Sequence, residues 1–114
     1  MIQVNYRDPK PIFEQVKDGF KRLIVQGVME QDEKLPSVRE LASSLAINPN
    51  TIQRSYRELE QEGFVYTVKG RGCFVAGVPE ANEEKKQELL KKLREISSEL
   101  SYLGMTKEEI RKLL

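Results

Sequence analysis

The chain has 114 residues, 39% hydrophobic and 32% charged, with 19 lysines and arginines against 18 acidic residues. That length fits one domain, or one domain with an appendage, and the apolar share is enough for a core. With no histidine and a single cysteine, Cys73, an intrachain disulfide is excluded. A thiol or imidazole metal site lacks its donors, so no metal or other cofactor is expected. No apolar run approaches membrane-spanning length and no signal peptide is visible, so the expectation is a cytoplasmic protein with no membrane partner. A net charge of +1 does not announce a nucleic-acid binder, so such a role has to rest on where the charges lie.

Met1 to Asn5 alternates weakly through Ile2 and Val4, which suits either a short edge strand or a fraying end. Asp8-Pro9-Lys10-Pro11 then breaks the chain ahead of a helix. Ile12, Val16, Phe20, Leu23 and Ile24 follow helical spacing, with Phe13 on the flank and Gly27 as the stop. Lys17, Lys21 and Arg22 fall on the outer face of this helix and read as solvated charges. Val28 to Pro36 reads as a polar connecting loop.

Pro36 to Gly63 reads as two short helices joined by a tight turn. Ser37 with Glu40 three residues later fits a capping box, and Val38, Leu41, Ala42 and Leu45 share one face. Asn48 then serves as a second N-cap, and Pro49 suits the first helical position because its missing N–H costs nothing there. Ile52, Tyr56 and Leu59 turn inward together, and Gly63 is placed as a left-handed cap. Asn50, Gln53, Arg54 and Arg57 consequently turn outward, with Thr51 at the exposed N-terminal end. Amides, a hydroxyl and guanidinium groups are the side chains that hydrogen-bond base edges and phosphates in a major groove. Glu58, Glu60 and Glu62 come late in the helix, away from the end that a helix-turn-helix presents to DNA. Arg39, in the first turn of the preceding helix, reads by itself as an exposed cation pairing with a nearby glutamate.

After Gly63 the period changes. Phe64 to Val68 and Cys73 to Ala76 are β-rich around Lys69-Gly70-Arg71-Gly72, which predicts a hairpin with cations at its tip. Its glycines permit positive φ and close backbone approach. Attached directly behind a recognition helix, such a hairpin is a wing. Cys73, in the second strand, reads as a small buried or half-buried hydrophobe rather than a redox sensor. Gly77 to Glu80 is the one credible linker.

Beyond it, Leu89, Leu93, Ile96, Leu100 and Leu103 repeat at four, three, four and three, a seam of about two heptads. Gly104 stops this helix, and Thr106 with Glu109 offers a capping box for a short last helix carrying Ile110, Leu113 and Leu114. The pair packs either on its own chain or on a second subunit. So small a hairpin buries too little apolar area alone, which favours a homodimer built as a compact helical bundle.

The stretch LPSVRELASSLAINPNTIQRSYRELEQEGFVYTVKGRGCFV resembles the DNA-binding domain of GntR-family transcriptional regulators, strongly over roughly Pro11 to Val75. The NPNT–RSY–ELEQEG run and the short tail suggest the YtrA-like subfamily. The resemblance implies that Arg39 contacts DNA near the groove edge. It also implies that the wing tip follows the backbone into the adjacent minor groove, with Gly70 close to the duplex. Many relatives carry an arginine at or beside the place of Pro49. Here NPN replaces it, so base readout leans on Asn50, Gln53 and Arg54.

The expected architecture is α+β and mostly helical, with a winged helix-turn-helix over 1–78 and a two-helix dimerisation segment over 79–114. The expected function is a dimeric regulator, a repressor, on an inverted-repeat operator in double-stranded DNA with half-sites about 10 bp apart or a multiple of it. Asn50 and Gln53 would read base edges. Arg39, Thr51, Arg54 and Arg57 would hold phosphates or a guanine, and Lys69, Gly70 and Arg71 would form the wing contact. Leu89, Leu93, Ile96, Leu100, Leu103, Ile110 and Leu113 would carry dimerisation. The 35 residues or so after Pro79 are too few to enclose an effector within one subunit, which leaves a cleft at a dimer interface as the place for a small-molecule effector. The resemblance further implies control of transporter operons. The alternative is a winged-helix protein-interaction module without DNA binding. An enzyme is not expected, because no nucleophile has an evident base and Gly70-Arg71-Gly72 lacks the glycine and helix of a dinucleotide fingerprint.

Overall fold

The computed structural model describes residues 2–114, and its chain divides into two compact units, Met1–Pro79 and Glu80–Leu114. The first holds three helices, α1 (Ile12–Val25), α2 (Val38–Leu45) and α3 (Pro49–Gln61), followed by strands β1 (Val65–Val68) and β2 (Gly72–Val75). The second holds α4 (Glu80–Tyr102) and α5 (Lys107–Lys112).

Every helix of the first unit turns its periodic apolar stripe inward. Val16, Phe20 and Ile24 of α1, Leu41 and Ala42 of α2, and Ile52, Tyr56 and Leu59 of α3 are buried around one core, closed by Phe64, Val65 and Val75. Phe20 and Tyr56 meet edge to face at 5.6 Å and 82°, an arrangement favoured by the aromatic quadrupoles. The Tyr56 hydroxyl donates to the Pro36 carbonyl at 2.7 Å, which ties the entry of α2 to α3. Burial pushes this phenol well above its ordinary value, so it remains a donor throughout the accessible pH range.

The helix ends are built as the residues predict, with one difference. Ser37 accepts from the Glu40 amide at 3.1 Å, but only this half of the capping box forms. Asn48 accepts from the Asn50 amide at 2.8 Å with Pro49 at N1. The turn between α2 and α3 passes through Ala46 at φ 55°, and Gly63 leaves α3 at φ 85°. Alanine tolerates that left-handed turn at a cost of about 1–2 kcal/mol, which glycine would avoid.

Ser55 was not legible as a core position. It is fully buried, and its hydroxyl donates to the Phe13 carbonyl at 2.7 Å, with the Thr51 carbonyl 3.2 Å away. It therefore stitches α3 to the start of α1. Ser55→Ala is expected to cost about 1 kcal/mol of unfolding free energy in a urea titration, because it removes a buried hydrogen bond between α3 and α1.

The stretch 28–36 is more than a polar connector. Met29 and Leu35 are buried, the Asp32 amide donates to the Val75 carbonyl at 2.8 Å, and the Leu35 amide donates to the Cys73 carbonyl at 2.8 Å. Val75 donates in return to the Glu33 carbonyl at 2.9 Å, and Lys34 bridges Phe74. Residues 32–35 thus cover the outer edge of β2, which pairs antiparallel with β1 in the register Val65 to Val75 and Val68 to Gly72. The pairing uses the backbone, so the polar side chains of 30–33 gave no alternating pattern to read. At the N-terminus no strand forms among the described residues. Ile2 and Val4 pack on the core instead, Ile2 occupying space that Gly19 leaves on α1. Met1 lies outside the described residues.

In the second unit, Thr106 and Glu109 complete both halves of a capping box at the start of α5. α4 has no buried residue over its 23-residue length. No helix among the described residues is long and apolar enough to cross a membrane.

Candidate nucleic-acid interface

The outward face of α3 divides into two flanks. On one, Arg54 stacks over the Phe13 ring, its guanidinium carbon 3.6 Å from the centroid, and its Nε donates to Glu58 at 3.1 Å. This cation is seated on α1 instead of standing free, and its terminal nitrogens carry no partner among the described residues. On the other flank, Gln53 and Arg57 line a groove together with Arg71 and Thr67 of the hairpin and Lys34 at the edge of β2. Asn50 and Arg39 are exposed, and Thr51 is half-buried rather than fully open. Lys69 and Gly70 form the hairpin tip, with Gly70 at φ 79° and the Arg71 amide closing the turn on the Val68 carbonyl at 2.9 Å.

The acidic residues of α3 are spoken for. Lys17 of α1 pairs with Glu58 at 2.9 Å and with Glu62 at 3.1 Å, and Lys21 pairs with Glu62. Glu60 accepts from the Thr67 hydroxyl at 2.5 Å. Lys17 and Lys21 are therefore half-buried clamps between α1 and α3, not the solvated outer charges expected from spacing alone. Helical periodicity places a residue on a face but does not say which neighbouring helix that face meets. By contrast, Lys34, Arg39, Arg57, Lys69 and Arg71 form no ion pair among the described residues. Within the first unit, Arg7 and Arg22 are likewise unpaired among the described residues, so most of its unpaired cations lie on α2, the groove and the hairpin, while the carboxylates of α3 are matched.

The clamp has a pH signature. The hydrogen bond from Lys17, with help from Arg54, holds the Glu58 carboxyl below the usual glutamate range. Burial opposes ionisation of Glu62, but its bonds to Lys21 and Lys17 outweigh this and lower it as well. Carboxyls lowered on folding contribute stability that is present above the unfolded value near 4.5 and lost as pH falls through the folded value. The melting temperature should fall on acidification below about pH 4.5, and Glu58→Gln with Glu62→Gln should flatten that decline in a pH series of thermal melts.

Lys34 and the Phe13–Arg54 stack were not singled out from the sequence. Lys34 lay in a stretch without periodicity, and a cation–π contact between helices leaves no local pattern. A Cβ on Gly72, which sits at φ 125°, would stand 2.9 Å from the Lys34 Cε, so this lysine lies directly on the hairpin backbone. Cys73 is half-buried and its thiol is raised by burial, as an unreactive packing residue requires. In the second unit, Leu89, Leu93, Ile96 and Leu103 are 51%, 42%, 55% and 77% exposed, and Leu113 is exposed as well. Leu100 and Ile110 are half-buried.

Comparison with known proteins places these features. The family described as bacterial regulatory proteins, gntR family, matches residues 12–75, more than half of the chain. The HTH-type transcriptional repressor YtrA of Bacillus subtilis (strain 168) is 37% identical over 112 residues, covering 96% of this chain and 86% of that protein. A GntR family transcriptional regulator from Listeria monocytogenes superposes with a TM-score of 0.65 at 42% identity, covering 93% of this chain and 94% of its own. The crystal structure of the AraR DNA-binding domain in complex with an operator superposes with a TM-score of 0.60 at 31% identity, covering 66% of this chain and 96% of its own. On its fold, on the breadth of the match and on the identity to these relatives, the chain belongs to the gntR family of bacterial regulatory proteins.

Proposed function

We propose that this regulator is a homodimeric repressor in which each subunit lays the N-terminal half of α3 into a major groove and its hairpin tip along the adjacent backbone. The observation that carries the reading is the segregation of charge. Every carboxylate of α3 is engaged by a lysine, an arginine or a hydroxyl of the same unit, whereas Arg39, Arg57, Lys69 and Arg71 have no anionic partner among the described residues. Unpaired cations gathered on one face supply the sequence-independent part of DNA affinity. A winged helix that serves only protein contacts has no use for such a face.

In this reading Asn50 and Gln53 hydrogen-bond base edges, and Thr51 and Arg39 hold phosphates near the groove edge. Arg57, Lys69 and Arg71 add backbone contacts, with Gly70 allowing the tip to approach. Arg54 enters with its orientation already fixed by Phe13 and Glu58, which lowers the entropy lost when its terminal nitrogens meet the duplex. The repressor and operator of the relatives' names support the assignment.

The second unit supports the dimer. Helices α4 and α5 leave Leu89, Leu93, Ile96, Leu103 and Leu113 exposed, and a second copy of the same row is the occupant that the seam spacing fits. Within this frame, 1–78 is the DNA-binding domain and 79–114 the dimerisation segment, and the protein works in the cytoplasm, where its DNA is. Selection of bound sites from random duplexes by the full chain tests the proposal. An enriched inverted repeat with half-sites about 10 bp apart, or a multiple of it, is the expected outcome. Enrichment of no sequence, or of a single unrepeated half-site, contradicts it.

A further inference from the structure

We propose that the groove between α3 and the hairpin binds a small organic anion, and that this ligand and DNA exclude one another. The groove holds about 330 Å³, within the range of small-molecule sites. Its floor is apolar, from Val38, Tyr56 and Cys73. Its rim carries Lys34, Arg57 and Arg71, all without a carboxylate partner among the described residues. The one acidic residue lining it, Glu60, already accepts from the Thr67 hydroxyl.

An apolar floor under three free cations selects a ligand with a flat or short apolar body and a carboxylate, sulfonate or phosphate head. The Lys34 side chain lies along Gly72, whose missing Cβ leaves room for it on that side of the groove. Occupancy would neutralise Arg57 and Arg71 and cover Gln53. Ligand and duplex would then compete directly, without an effector domain and without a conformational relay. The competition rests on the DNA reading above, whereas the binding site itself does not.

The test uses the isotope-labelled full chain and 2-naphthoate as the probe, with uncharged 2-naphthamide as its control. Saturable amide shifts are expected at Val38, Tyr56, Gly72 and Cys73, with a Kd of about 0.1–1 mM for a ligand of this size. The amide should bind at least about fivefold more weakly, the share of one partly solvated ion pair. Cys73→Leu fills the groove without touching the proposed DNA contacts. It should abolish the shifts while leaving operator affinity within about twofold. Val38→Phe fills it from the α2 side and serves if leucine disturbs the strand. Naphthoate should raise the apparent Kd for DNA in the unmodified chain but in neither filled variant.

Shifts confined to the second unit, insensitivity to both filling variants, or no saturation by about 10 mM, far beyond the affinity such a ligand should reach, would overturn the proposal. If the groove shifts appear but the chain fails to select DNA, the proposed function falls and the anion site stands. If DNA is selected and the groove stays silent, the reverse holds.

Discussion

Replacing Arg57 and Arg71 together by alanine should weaken binding to a selected operator by about 100- to 1,000-fold near 0.1 M salt, the largest loss expected from any two residues of the proposed DNA face. Two cations per subunit become four in a dimer, and each neutralised phosphate contributes about 0.9 to the slope of log affinity against log salt. The slope should therefore shrink by about 3.6, and a fluorescence-anisotropy titration at four or five salt concentrations reads both quantities together. Arg22→Ala removes an equally exposed cation from α1, outside the proposed face, and should change neither. A double variant that retains full affinity would mean that the groove flank of α3 and the hairpin stay clear of the duplex. The comparison with Arg54→Ala is informative as well. Arg54 is stacked and ion-paired in the free protein, so its loss also releases Glu58 from one of its two partners.

The second large effect concerns assembly. Leu93→Glu with Ile96→Glu puts two carboxylates per chain into the exposed seam of α4 and should convert a particle of twice 13.2 kDa into one of 13.2 kDa by light scattering. Both positions lie in the second unit, so the core formed by α1, α2, α3 and the hairpin should retain its helical signal. Operator affinity should drop by about 100- to 10,000-fold, because the second half-site is no longer bound intramolecularly. An unchanged mass would place the subunit contact elsewhere. An unchanged affinity would show that one subunit suffices.

Much of the fold was legible because its helices are amphipathic and carry their own caps. Ser37, Asn48-Pro49, Gly63 and Thr106-Glu109 each mark a helix end by a local hydrogen-bonding requirement, and the structure places helix boundaries at all four. The hairpin was legible from β-rich runs around Gly70 and Gly72. What escaped was set by partners distant in sequence. Residues 32–35 pair with β2 through backbone groups and show no periodic side-chain pattern. Ser55 looks like a polar helix residue until Phe13 is brought beside it.

The candidate site divides the same way. Residue types and spacing gave the outward positions of α3. They did not reveal that its two flanks differ, with Arg54 resting on Phe13 and Arg57 facing the hairpin. Nor did they show that Lys17 and Lys21 neutralise the glutamates, since helical spacing alone assigns both to solvent. That neutralisation is what lets an almost neutral chain present a cationic face.

The salt dependence of operator binding by the unmodified chain examines that face most directly. The four cations assigned to phosphate contact in each subunit, Arg39, Arg57, Lys69 and Arg71, make eight in a dimer and predict a log–log slope of about −7 if all reach phosphates. A steep negative slope together with tight binding in dilute buffer is the result expected. A slope near zero, or no binding to any duplex at the lowest salt, would contradict it.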